Sequence, residues 1–523
     1  MATYDVVIAG GGHNALACGA VLARAGLSVV VAERNPWVGG GVITREVTLP
    51  GFKHDLYGSS HVWIHANEAF NEMKPELEQH GLKYIWAEDQ ITGHPNHDGP
   101  GIVVYKSIEK TVESISNYSI NDAQRYREIY DEFVHIKDGF IKGMFSPPSP
   151  PSYLPAAMEN SREGLRRLRS YNQSAKAFVK ENFENPHVQA FILGWALAPQ
   201  ILPDQQGIGQ TFYIMIPAIH YYGESIPEGG SMMLSKALAS LIESRGGKIM
   251  TNASVKKFII DSNKNCYGII LEDGTEIESK IAVLSSLDPQ QTFLSLIGSE
   301  HLSEDLTRMA RNFSFGSVSI CRVHYALNEP PKYRNGSDMD KTAFQRIFGS
   351  VEDLDLQYRE IRAGESPSNP FLWVACWTTK DPSRAPEGKH TLIMDTFVPN
   401  RLSNGNSWEE IGPEYVDQIL LPKLQEYTFN MSENNILGKY IDTADSLARD
   451  NLSLVNGTTT GGERLLSQSG YLRPFPGYAN YRSPIRNLYL TGPSCHPGGG
   501  ISAMGTITAG VMLEDFGMKS KNN

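Results

Sequence analysis

The chain is poor in cysteine. Its five cysteines, Cys18, Cys266, Cys321, Cys376 and Cys495, are scattered over 523 residues with no C-x-x-C and no metal-ligand spacing. That argues against a disulfide framework and a redox-active cysteine pair, and it fits a reducing compartment. Positive charge is in deficit too: 47 Lys and Arg stand against 58 Asp and Glu, a net charge of −11. Such a surface repels phosphate, so no nucleic-acid partner is expected. No uninterrupted apolar run approaches the roughly 20 residues of a membrane-spanning helix. There is no H-E-x-x-H and no evident internal repeat. Ordered structure is expected from Tyr4 with no basic segment before it, which argues against a targeting peptide. What is present, 41% hydrophobic and 20% charged residues, is the composition of a globular chain of two or three domains, expected in the cytoplasm.

The strongest pattern lies at the amino terminus. "YDVVIAGGGHNALACGAVLARAGLSVVVAER" reads as a strand over Asp5 to Ala9, a glycine turn, a helix from about Asn14 to Ala25, and a second strand ending before Glu33. The turn has the form Gly10-x-Gly12-x-x-Ala15, a dinucleotide fingerprint. Gly10 makes the tight turn, Gly12 lets the backbone approach a pyrophosphate, and small Ala15 lets helix and strand pack closely. Backbone N–H groups and the positive helix end then hold the anion, with His13 and Asn14 at the same turn. Glu33, followed by Arg34, is placed to accept hydrogen bonds from ribose hydroxyls, and its charge disfavours a 2′-phosphate. Gly39, Gly40 and Gly41 form a second glycine cluster, which NAD does not need. A long FAD does, because another loop must pass close to it.

A third cluster closes the chain. "NLYLTG" (487–492) reads as a strand, and "PSCHPGGGISAMG" as a turn entering the last helix at about Ile501. Side-chain-free backbone there suits a ring system, and the helix is expected to point its positive end at the flavin pyrimidine. The expected contacts are Gly492, Pro493, Gly499, Gly500 and Ile501.

These stretches, with "IPEGGSMMLSKALASLIESRGGKI" (226–249), resemble the FAD-dependent phytoene desaturase-like oxidoreductases of the amine oxidase superfamily. "GGGHN" and "HPGGG" are most similar to the pyridine nucleotide-disulphide oxidoreductase domain-containing branch. The chain departs from the usual pattern at Ala15, Gly41 and Pro493. The resemblance implies non-covalent FAD, a Val255 backbone contact to adenine, and a "PEGG" turn near the flavin. The expected fold is α/β: a Rossmann-type, glutathione-reductase-like FAD domain (1–70, 226–290 and 470–523) with a discontinuous α+β substrate domain (71–225 and 291–469).

Ser231 is expected to cap a helix from Met232. The apolar, aromatic segment 190–225 offers Trp195, Phe212, Tyr213, His220, Tyr221 and Tyr222 either to a pocket wall or to the core. His496 and Tyr222 are the candidates for a catalytic base beside the ring. The Pro/Ser-rich stretch 145–155 reads as a surface loop, with a peripheral membrane contact left as an alternative. The acidic tract 350–370 reads as a solvated helix and loop. The reaction expected is removal of two hydrogens from a small apolar substrate, isoprenoid or alicyclic, with hydride passing to flavin N5 and reoxidation by oxygen or quinone. A flavin amine oxidase, a carotenoid-type isomerase and a non-catalytic flavoprotein acting through a partner stay open. The sequence leaves the oligomeric state undefined.

Overall fold

The computed structural model describes residues 2–97, 99–198 and 200–518. Its first sheet is built around strands Ala2–Ala9 and Val29–Ala32, which pair in parallel. Strand Glu276–Ser285 lies on the other side of the first strand, also parallel, and Leu488–Leu490 pairs with its far end. Lys248–Met250 extends the opposite edge, while Val255–Ile260 and Cys266–Leu271 form an antiparallel flank. The central strands read as continuous apolar runs because both faces are covered. All four residues of Val29–Ala32 are buried, each Val contributing about 1.5–3 kcal/mol relative to exposure.

Helix His13–Arg24 connects the first two strands, and helices Met232–Ser244 and Gly505–Asp515 pack against it. Close packing depends on small residues. Ala15, Ala17 and Ala20 are fully buried, and a Cβ on Gly505 would stand 1.8 Å from the Asn14 carbonyl oxygen. The last helix therefore starts four residues beyond the expected Ile501, and its first turn is sealed against the first helix. The Asn67 amide donates to the carbonyls of Ser502 and Ala503 at 2.9 and 3.2 Å.

A second seven-stranded sheet runs in the order Ile436–Asp442, Val318–Leu327, His390–Pro399, Leu372–Ala375, Phe344–Ile347, Gln90–His94 and Ile102–Tyr105. Its pairings are antiparallel except where Phe344–Ile347 meets Gln90–His94. Helices between Ile108 and Tyr222 bury Phe178, Phe191, Trp195, Phe212 and Tyr213 in a core shared with the second sheet through Val104, Ile320 and Phe397. The acidic tract is less solvated than its composition suggests. It holds helix Val351–Ala363, which starts on a Ser350–Asp353 capping box and buries Val351, Leu354, Tyr358 and Ile361. Among the described residues no helix is long and apolar enough to cross a membrane.

A buried ion cluster ties the segment between strands Leu372–Ala375 and His390–Pro399 to the short strand His54–Asp55 and to the 227–231 turn. Arg384 donates to Asp55 at 2.6 Å and to Asp381 at 2.8 Å, and it also bonds the Pro227 carbonyl. Asp55 accepts from the Ser231 N–H, and Asp381 from the Gly229 N–H. The "PEGG" turn is thus held by this cluster. Ser231 makes no side-chain cap, contrary to expectation; its hydroxyl meets His61 Nε2 at 3.3 Å.

Candidate functional site

A cavity of about 900 Å³ extends from the first glycine turn to the inner face of the second sheet. Gly10 has a φ of +91°, and a Cβ there would stand 2.7 Å from Ser286 Oγ. Glu33 is buried and fixes the turn. Its two carboxylate oxygens accept from the N–H groups of Gly11 and Asn35, both at 2.8 Å. Burial raises its pKa, and those two N–H groups oppose the shift.

The second glycine cluster is stitched to the first. The Gly39 N–H donates to the Gly11 carbonyl at 2.8 Å, and the His13 N–H donates to the Gly39 carbonyl at 3.2 Å. Gly39 has a φ of +127°, and a Cβ on it would lie 2.4 Å from the Val42 carbonyl oxygen. By contrast, a Cβ on Gly12, Gly41 or Gly500 would meet nothing within 4 Å. Those three positions form a bare cradle, with its space reserved for something other than protein. The His13 ring lies beside the backbones of Gly500 and Gly39, and burial lowers its pKa to about 4. Its Nε2 is buried with no partner. A bare cradle, an unsatisfied imidazole nitrogen and inward N–H groups fit a dinucleotide.

Of the residues expected to hold the cofactor, Gly10, Gly12, His13, Asn14, Ala15, Glu33, Arg34, Gly40, Gly41, Val255, Gly492, Pro493, Gly500 and Ile501 all line this cavity. Gly39 and Gly499 do not. Gly39 braces the first turn, and Gly499 packs on Thr460, where a Cβ would stand 2.8 Å from its carbonyl oxygen.

The two expected catalytic residues also lie off the cavity. His496 is drawn to the end of helix Ile120–Met144, where its Nε2 donates to the Gly143 carbonyl at 3.1 Å. Tyr222 ends helix Met215–Tyr222 and packs against Trp63 and Tyr221. Of the described residues of 190–225, only Ala198 reaches the cavity; Phe191, Trp195, Phe212 and Tyr213 form core, Tyr221 is exposed and Tyr222 half-buried, and His220 Nε2 meets the Tyr126 hydroxyl at 2.7 Å. His54, His61 and His65 are likewise engaged, with Thr48, with Tyr84 and Ser231, and with Ser225.

The far arm of the cavity is apolar. Ala198, Ile320, Trp373, Phe397, Leu447 and Leu454 line it, with Tyr57 and Arg322. Arg322 is neutralised by Asp395, and its Nη1 donates to the Leu56 and Tyr57 carbonyls, both at 2.7 Å. Burial, reinforced by Asp442, keeps the Tyr57 hydroxyl protonated. Behind Trp373 a box of Trp195, Phe344 and Trp373 is filled by the chain's own Arg346. Its guanidinium carbon lies 3.4 Å from the Trp195 ring centroid. Sequence reasoning singled out Trp195 but missed Ile320, Arg322, Trp373, Phe397, Leu447 and Leu454. Ile320 and Arg322 share one strand face at i and i+2, but nothing local says that this face lines a cavity.

Fold and cradle together define a dinucleotide-binding oxidoreductase. The family model "Flavin containing amine oxidoreductase" matches residues 16–511, and the chain belongs to that family; it is an FAD-dependent oxidoreductase of phytoene desaturase-like type. It is 28% identical to a limonene dehydrogenase polypeptide of Castellaniella defragrans, over 98% of this chain and 95% of that protein. It is 25% identical to a lycopene-forming phytoene desaturase of a Paracoccus species, over 98% of both. The solved structure of cyclohexylamine oxidase from Brevibacterium oxydans shares the fold, with a TM-score of 0.62 at 13% identity, over 98% of this chain and 99% of that one.

Proposed function

We propose that the protein is a dehydrogenase or desaturase that takes two hydrogens from a small, uncharged, apolar molecule, isoprenoid or alicyclic. FAD, when bound, supplies the two-electron acceptor for hydride leaving carbon. On this reading Gly10, Gly12, His13, Asn14 and Ala15 hold the pyrophosphate, Glu33 and Arg34 the ribose, and Val255 the adenine. Gly40, Gly41, Gly492, Pro493, Gly500 and Ile501 hold the ribityl and ring end. The reading divides the chain into an FAD domain carrying the first sheet and a substrate domain carrying the second.

One observation carries the substrate class: the far arm is lined by aliphatic and aromatic side chains with no carboxylate among its described residues. Of the acids on the cavity wall, Glu33 lies at the first glycine turn and Glu272 beside the Val255 strand, while Asp288 is taken up by the N–H groups of Gln290 and Gln291 and by the Gln291 amide. An ammonium entering the arm would find the Asp395 carboxylate already paired with Arg322, and the nearby aromatic box already holds a cation. Burying an unpaired charge costs several kcal/mol, whereas burying a methylene contributes about 0.8 kcal/mol. The relatives named for limonene and phytoene support the same class. Trp373 and Phe397 orient the substrate and exclude water, and oxygen or a quinone accepts the electrons afterwards. The test mixes oxidised, FAD-loaded protein without oxygen with a panel of apolar alkenes and cyclic ketones, and with a panel of primary amines. Bleaching of the flavin by the apolar panel is expected; bleaching by amines alone would replace this reading with an amine oxidase.

A further inference from the structure

Two arginines stand behind the glycine-rich wall of the cavity with no carboxylate paired to them among the described residues; the titratable groups facing Arg473 are the Cys495 thiol, which burial keeps protonated, and the His496 ring, whose pKa burial lowers. Arg464 donates from Nη2 to the Gly499 carbonyl at 2.9 Å. Arg473 is 2% exposed; it donates to the Pro493 carbonyl at 2.8 Å and to those of Gly461 and Gln468 at 3.1 Å. Pro493 and Gly500 line the cavity. The Nε atoms of both arginines are buried without a partner. Among the described residues no carboxylate pairs with either, although Arg384 has Asp55 and Asp381, and Arg322 has Asp395. Burial lowers the pKa of both, that of Arg473 to about 9, and a guanidinium is not deprotonated in proteins at neutral pH. Carbonyl dipoles satisfy the donors of the buried Arg473 but leave its charge, and an unpaired buried cation is costly; Arg464 is half-buried, with its Nε shut off from solvent. A structural staple at Gly499 would need only a neutral amide.

The charge also falls where the helix leaves a gap. The positive end of helix Gly505–Asp515 begins beyond the glycine loop and packs on Asn14. We infer that Arg464 and Arg473 form a cationic seat behind the Pro493–Gly500 loop that stabilises the negative charge gathering on the FAD ring system during reduction. The cofactor then takes one proton, not two, with each electron pair, and the hydride itself supplies that proton. Both are electrostatic positioning residues, not catalytic ones. The inference rests on the placement of FAD in this cavity.

The test is an anaerobic potentiometric titration of the holoprotein against reference dyes, from about pH 5.5 to about pH 7, with free FAD as control. One proton per electron pair gives a slope of about 30 mV per pH unit, and two protons give about 60 mV. The one-proton slope is expected throughout, and the two-proton slope would overturn the inference. Arg464→Gln keeps a donor for Gly499 and removes the charge. It is expected to lower the midpoint by about 30–60 mV, a ten- to hundredfold change in the reduction equilibrium. Arg464→Lys, which keeps the charge, should stay within about 10 mV of the parent. An unchanged midpoint in the Gln variant, or the same fall in both, would also overturn it. If the Gln variant does not retain FAD, the proton count of the parent protein decides by itself. Parent protein that takes up no FAD, seen as absent flavin absorbance, refutes the cofactor placement, and with it this inference.

Discussion

At one end of the cavity, Gly10 to Ala15, Glu33 to Asn35, Gly40 and Gly41 all come from the first 41 residues of the chain. At the other, Ala198, Ile320, Trp373, Phe397, Leu447 and Leu454 come from separate helices, strands and loops. The near end is made of backbone, held by bonds between neighbouring turns. The far end is made of side chains that meet only because the second sheet folds over the first. Backbone cradles tolerate no added atoms but need little from the rest of the fold. Side-chain walls tolerate trimming but depend on the whole fold. This difference suits a protein that binds a fixed cofactor at one end and a variable substrate at the other.

Gly12→Val gives the sharpest separation of the two ends. Gly12 has a φ of −65°, open to any residue, and its Cβ would point into empty space. The apoprotein should therefore melt at the parental temperature while FAD affinity falls at least about a hundredfold, or about 2.7 kcal/mol. Gly39→Ala, strained at φ +127° and in contact with the Val42 carbonyl, should instead lower the melting temperature. Similar melting of the two variants would erase the distinction between cradle and brace.

Acid should test both ends together. Burial depresses His13 at the cradle, and His94 and His220 in the second core, from 6.5 to about 4. Between these values the unfolded chain binds protons that the native state refuses, so stability rises with pH there and is lost as pH falls from about 6.5 towards 4. The combined loss is on the order of several kcal/mol. Melting temperature against pH checks it, and a flat profile through that window would contradict the burial of these rings.

Glu33→Ala should weaken FAD ten- to a hundredfold, since charge-assisted hydrogen bonds are worth roughly 1.5–3 kcal/mol. It also releases the Gly11 and Asn35 N–H groups, so part of the effect should appear as a lower melting temperature. Trp373→Ala acts only on the far end. It should raise KM for an apolar substrate about tenfold, with FAD affinity unchanged. The smallest effect belongs to Tyr222→Phe and His496→Gln, which should leave kcat within about twofold, because neither residue lines the cavity. A large fall in kcat for either would return it to the chemistry.

The strand–turn–helix unit, its glycine spacing, and the match of Glu33 to a second strand end were all legible in the order of residues. Each of these is a local demand of backbone geometry, and local demands leave periodic, readable marks. The glycine loop at 498–500 was marked in the same way, though not the start of the helix beyond it. That start depends on a Gly505 contact with Asn14, hundreds of residues away. Long-range packing alone settled that Phe191, Trp195, Phe212 and Tyr213 form core and that His496 turns to Gly143. It also settled that Ile320, Trp373 and Phe397 face the cavity. Burial in core and exposure to an apolar cavity ask for the same residue types, so composition cannot separate them. Only the arrangement of the two sheets, with connecting segments pinned together by Arg384, Asp55 and Asp381, leaves some of those side chains facing space.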